Sequence, residues 1–164
     1  MFDKFGEFDS AEELNKAALA QRQQGDEEAL VALAIENGID REDAEDFMDG
    51  AYTVLCNEYM AALGKLKVEC EALKLSRELL MLTEELEGIC QIDQTVAAGV
   101  RKKGRSLAGY LARVIDLGFK NAVTPPKEVL DQLKEVPQQY RGQMKTGMPD
   151  KSERLGLIAE YYGR

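Results

Sequence analysis

The chain of 164 residues contains no histidine. This absence removes the Ser–His and Cys–His nucleophile pairs, the commonest general base and the most frequent metal ligand. Cysteine is scarce. Cys56, Cys70 and Cys90 form no C-x-x-C pair and leave one thiol over in any disulfide scheme, which fits a reduced, cytosolic setting. There are four prolines, and with recurrent helix-period patterns this scarcity predicts a mostly α architecture. No apolar run approaches the roughly 18 residues that span a bilayer. The opening MFDKFGEFD lacks the charged and apolar regions of a signal peptide, so no membrane association is expected.

Charge is what the chain has in quantity. A charged share of 31% beside a hydrophobic share of 45% is that of a globular protein, and the length suits one domain or two very small ones. Residues 1–98 hold 8 Lys/Arg against 23 Asp/Glu, a net of −15, while residues 99–164 hold 13 against 7, a net of +6; the two sum to −9. An acidic half repels phosphates and suits a basic protein surface. Solvated helix faces kept soluble by charge would give the same asymmetry.

The organising stretch is Val100 to Phe119. Arg101, Lys102, Lys103 and Arg105 crowd around Gly104, then Ser106 offers a helix cap. Leu107, Leu111, Val114, Ile115 and Phe119 follow as one apolar face, widened by Tyr110 and Leu117. Upstream, the signals predict an acidic three-helix unit over residues 1–50. Its helices run from Ser10 to Gln24 (an S-x-x-E box with Glu13, stopped by Gly25), from Glu27 to Asn37 (stopped by Gly38) and onward from an Asp40 cap. Residues 51–164 are predicted as a helical C-terminal part with the basic turn at 100–106. Its expected helices cover Ala51 to Leu63 with a break at Gly64, Arg77 to Ile92 after a Ser76 cap, and Asp93 to Val100. Further helices are expected from Thr124 to about Val136 and from Ser152 to Tyr162. Residues 65–75 read as helix or loop, and residues 138–151 as an exposed loop. The sum is an all-α, compact multi-helix domain of about seven or eight short to medium helices.

Two motifs carry less chemistry than they suggest. Gly99 to Ser106 matches G-x-x-x-x-G-K-S except that Arg105 replaces the lysine, and QTVAA before it reads as helix where a phosphate loop needs a strand. Asp40 to Asp46 is calcium-loop-like, but Glu45 occupies the sixth position where that loop needs glycine. Neither calls for a cofactor or a metal. Two charged groups remain as binding candidates. Glu42, Asp43, Glu45, Asp46 and Asp49 cluster on the third helix and could imitate phosphates toward a basic partner. Arg101, Lys102, Lys103 and Arg105 could contact phosphate or an acidic surface, or could balance the acidic half internally.

FDSAEELNKAA (Phe8 to Ala18), NGIDREDAEDFMDG (Asn37 to Gly50), VRKKGRSL (Val100 to Leu107) and IAEYY (Ile158 to Tyr162) together resemble small accessory proteins of conjugative elements and prophages of gut Firmicutes. More distantly, Ser106 with its helix and the terminal helix ending in paired tyrosines is similar to PcfK-like proteins, some of them described as inhibitors of type II CRISPR nucleases. The resemblance implies a mobile-element context and a non-enzymatic binding protein. Its expected partner is a host protein with a basic, nucleic-acid-binding surface, such as a CRISPR effector. The competing expectation is a nucleic-acid-binding accessory factor for conjugation or element maintenance that works through the basic turn.

Overall fold

Capping chemistry sets the first three helices. In the structure, a computed structural model that describes Phe2 and residues 4–163, the Ser10 hydroxyl accepts from the Glu13 N–H and the Glu13 carboxylate reaches back to the Asp9 N–H. These bonds satisfy free donors at the start of α1 (Ala11–Gln24), which ends on the left-handed Gly25. Met1 and Asp3 of the opening segment lie outside the described residues. Asp26 caps α2 (Glu27–Glu36) through the Ala29 N–H. Gly38 then turns left-handed, and the Ile39 N–H closes back onto the Ala34 carbonyl with its side chain buried. Asp40 precedes α3 (Arg41–Asp49) but makes no side-chain cap bond; it pairs with Lys67 at 3.0 Å.

The expected helix from Ala51 does not form. Residues 51–57 are irregular because Asn15 of α1 holds them: its Oδ1 accepts from the Leu55 and Cys56 N–H groups and its Nδ2 donates to the Cys56 carbonyl. Those backbone groups are then spoken for by a side chain, and helix begins only where Asn57 caps α4 (Glu58–Leu73). Gly64 does not break α4, which runs through most of the stretch read as helix or loop. The α5 helix (Glu78–Ile92) begins after Arg77, whose φ of 52° makes it the start, so Ser76 is not its cap. Asp93 caps α6 (Gln94–Arg101) and Ser106 caps α7 (Leu107–Lys120).

Beyond α7, the helix expected to run to Val136 shrinks to α8 (Lys127–Asp131), with Pro126 and not Thr124 at its cap. The Arg141 guanidinium takes the Leu133 and Val136 carbonyls, bending the chain away from further helix. That arginine ends the short α9 (Gln138–Arg141), and Asp150 with Glu153 forms a capping box on α10 (Lys151–Tyr162). The fold is all-α: eight of the ten helices among the described residues have seven or more residues, and the sole β element there is an isolated bridge between Val123 and Thr146. No helix among them is long and apolar enough to cross a membrane.

Two apolar cores form. One gathers Leu14, Leu30, Leu33 and Phe47 of α1–α3 with Leu55, Cys56 and Ala61. The other gathers Leu66, Leu86, Val100, Leu111, Ile158 and Tyr162 from α4–α7 and α10. The α4 helix belongs to both, through Ala61 on one side and Ala62 and Leu66 on the other. The acidic unit thus extends its core past residue 50 onto α4. The Gly38 turn crosses α4 at Gly64 with the two backbones in direct contact, and a methyl group on either would overlap the other segment's backbone.

The apolar face of α7 is rotated from its expected position. Leu107, Tyr110, Leu111 and Val114 are buried, while Ile115 is 56% and Phe119 84% exposed. Tyr110 takes the core place expected of Ile115, with its ring 5.9 Å from that of Tyr162 on α10. Leu111→Ala is therefore expected to lose about 2–5 kcal/mol, whereas Ile115→Ala should stay within about 0.5 kcal/mol, as read by denaturant unfolding. Gly64→Ala should lose at least about 1–3 kcal/mol, since the added carbon meets backbone that cannot rotate away; an unchanged midpoint would mean that the two segments are not in contact.

Candidate functional site

The α3 helix sorts its residues by period. Ala44 and Phe47 are buried and Met48 is half-buried. Glu42, Glu45, Asp46 and Asp49 stand at i, i+3, i+4 and i+7 on the opposite side, a single helix face. Glu42, Asp46 and Asp49 are exposed; Asp43 and Glu45 are half-exposed. Glu45 pairs with Arg41 at 2.6 Å, and the other four make no ion pair among the described residues. Residues 26–49 hold ten Asp/Glu against Arg41 alone. The five carboxylates of α3 occupy about 10 Å of axis at 1.5 Å per residue, a density close to the one charge per about 1.7 Å of duplex DNA.

The basic turn does not form a second such patch. Arg101 is 0% exposed. It lies on the buried stripe of α6 with Val96, Ala97 and Val100, donates from Nη2 to Asn37 Oδ1 at 2.5 Å, and sits 5.7 Å from the Phe2 ring centre. Burial pulls its proton affinity down against the opposing fields of Glu7 and Glu69. Its Nε and Nη1 find no hydrogen-bond partner among the described residues. As a phosphate contact Arg101 is excluded in this conformation, because the core stands between it and solvent. Arg105 stacks 5.6 Å from the Tyr161 ring, with Arg113 over the same ring at 4.9 Å. Lys102 and Lys103 are exposed, and the Lys103 backbone N–H donates to Asp9.

A buried polar seam surrounds Arg101. Lys65 of α4 is 1% exposed, pairs with Glu7 at 2.5 Å and donates to the Lys102 carbonyl at 2.8 Å. Glu69, one turn on, accepts from the Leu107 N–H at 2.5 Å, and burial pushes its carboxyl above the ordinary range. Asn37 donates from Nδ2 to the Leu33 carbonyl while accepting from Arg101. None of Glu7, Asn37, Lys65 and Glu69 was singled out by motif. Their signal was periodicity: Lys65 and Glu69 fall four and eight residues after Ala61 on one stripe, and Arg101 four after Ala97. Glu85 of α5 makes a two-bond pair with Arg154 of α10 at 2.6 and 2.9 Å.

The terminal tyrosines are docked rather than displayed. Tyr162 is buried and its hydroxyl donates to the Ser106 carbonyl, while the Tyr161 hydroxyl accepts from the Ser106 N–H. The Gly99 to Ser106 stretch is helix and turn, and no strand precedes it. No family model, no curated protein and no solved structure matches the chain.

The arrangement separates the charges by role. Arg101 and Arg105 of the turn pack into the fold, whereas Lys102, Lys103 and most of the acidic groups of α3 face water. Arg101→Ala should lose about 1–3 kcal/mol, since it leaves the buried Asn37 oxygen without its donor, whereas Lys103→Ala should stay within about 0.5 kcal/mol, since its bond to Asp9 is made by the backbone. Equal effects of the two substitutions on the unfolding midpoint would contradict the burial of Arg101.

Proposed function

We propose that the chain is a non-enzymatic binding protein whose acidic α3 face covers a basic, nucleic-acid-binding surface of a host protein. The mobile-element resemblance makes a type II CRISPR nuclease the first partner to test. One observation carries the reading: Glu42, Glu45, Asp46 and Asp49 share one solvent-facing side of a helix whose other side is anchored by Phe47, about one carboxylate per 2.6 Å of axis, and only Glu45 of the four is paired, with Arg41. Such a face attracts a lysine- and arginine-lined groove at long range and competes there with phosphate. The rival use of the basic turn as a nucleic-acid contact is disfavoured by the burial of Arg101 and the stacking of Arg105 on Tyr161.

The test is a cleavage assay of such a nuclease with and without the protein. Glu42→Lys, Asp46→Lys and Asp49→Lys, made together, should abolish inhibition and leave the melting curve nearly unchanged, because exposed positions contribute within about 0.5 kcal/mol each. Inhibition by the native chain should weaken with added salt as the face is screened. Lys102→Ala with Lys103→Ala should inhibit as well as the native chain. Loss of inhibition in the Lys102→Ala, Lys103→Ala variant with the charge-reversed α3 variant still inhibiting, accompanied by salt-dependent DNA binding of the native chain, would overturn the proposal in favour of the basic turn.

A further inference from the structure

Beside the acidic face lies a cavity of about 460 Å³. Its lining includes the place where the Gly38 turn meets α4 at Gly64 backbone to backbone. Ile39, Met60 and Leu63 give it an apolar floor. Asp40 and Asp43 stand on one wall, Glu71 of α4 and Glu87 of α5 on the other. Lys67 is the one cation in the lining, and Asp40 holds it at 3.0 Å. Four carboxylates against one ammonium leave the rim strongly negative. At Glu87 the charge is under-compensated, since burial and the neighbouring Glu84 push that carboxyl above its ordinary range.

We infer that this cavity takes an arginine-bearing amphipathic segment of the protein partner, with an apolar side chain on the Ile39–Met60–Leu63 floor and guanidinium groups on the carboxylate rim. The inference rests on the reading of the α3 face, to which Asp43 connects the cavity. The volume falls in the ordinary range for a binding cleft, about 300–1,000 Å³. A nucleic acid is repelled by the rim, and a bare cation makes no use of the floor. Arginine fits better than lysine because its planar fork bonds a carboxylate with two N–H groups and it gives up hydration more readily.

Cys70 lines the cavity and is half-buried, with its thiol raised by burial and by Glu87 and Glu71, while Cys56 and Cys90 are buried with thiols pushed up to about 12. Alkylation of Cys70 by iodoacetamide, followed by mass spectrometry of the full chain, therefore reports occupancy. The probe is a short synthetic amphipathic helix with a leucine stripe flanked by arginines; its control has the same charge with serine in place of leucine. At ten times its dissociation constant, the leucine–arginine helix leaves about one site in ten free and should slow Cys70 alkylation about tenfold. The serine control should leave the rate nearly unchanged. Asp43→Asn with Glu87→Gln should weaken leucine–arginine binding about tenfold, the worth of two partly buried charge pairs. A bound peptide, followed by fluorescence anisotropy, that leaves Cys70 alkylation unchanged overturns the cavity while the α3 face can still stand. Absence of peptide binding overturns it as well. Protection of Cys70, with nuclease inhibition surviving the α3 charge reversal, upholds the cavity and removes the face.

Discussion

Arg101 Nη2 donates to Asn37 Oδ1 at 2.5 Å where the end of α6 meets the end of α2, and both residues are fully buried. Taking a guanidinium out of water is unfavourable unless neighbouring charge and hydrogen bonds make up for it. Here the fields of Glu7 and Glu69, the ring of Phe2 and the Asn37 oxygen offset part of that loss, and burial still pulls the proton affinity of Arg101 down. Lys65 repeats the device on the next helix, bonded to Glu7 and to the Lys102 carbonyl. These contacts tie the α1–α3 core to the α4–α10 core across a seam that the Gly38–Gly64 crossing makes narrow. Hydrophobic faces alone would let the two cores slide; directional bonds fix one register.

The seam also decides which charges meet solvent. Arg101 and Lys65 are spent inside, each facing carboxylates of the N-terminal segment, and Arg105 lies against Tyr161. No comparable internal partner answers Glu42, Asp43, Asp46 or Asp49 among the described residues. The molecule thus presents a concentrated negative face while Arg101 and Arg105 of its positive turn are taken up by the fold. Long-range fields arise from such unbalanced exposed charge, so structural use of the basic turn and proposed binding use of the acidic helix are two sides of one arrangement.

Much of this was legible in the sequence where local chemistry decides. Ser10 with Glu13, Gly25, Gly38 and Ser106 act as read, because caps and left-handed stops depend on a few adjacent backbone groups. Where a distant side chain intervenes, the reading failed: Asn15 unravels residues 51–57 and Arg141 cuts α8 short. On α7 Leu107, Tyr110, Leu111 and Val114 are buried as read, but the Ile115 and Phe119 edge of the face meets solvent, because α10 packs on the Tyr110 side. The acidic face of α3 was visible as composition, and the structure orders four of its carboxylates on one side. Arg101 was grouped with its charged neighbours in sequence, although its place on the α6 stripe marked it for the interior.

If the Arg101–Asn37 and Lys65–Glu7 contacts bind the two cores into one unit, both must open together. Native-state hydrogen exchange reads this directly, residue by residue. The slowest amides of α1 and α2 and those of α6 and α7 should share one opening free energy and one dependence on denaturant. A lower opening free energy for α1–α3, with protection in α6 and α7 intact, would show that the N-terminal helices part from the rest and would contradict the account.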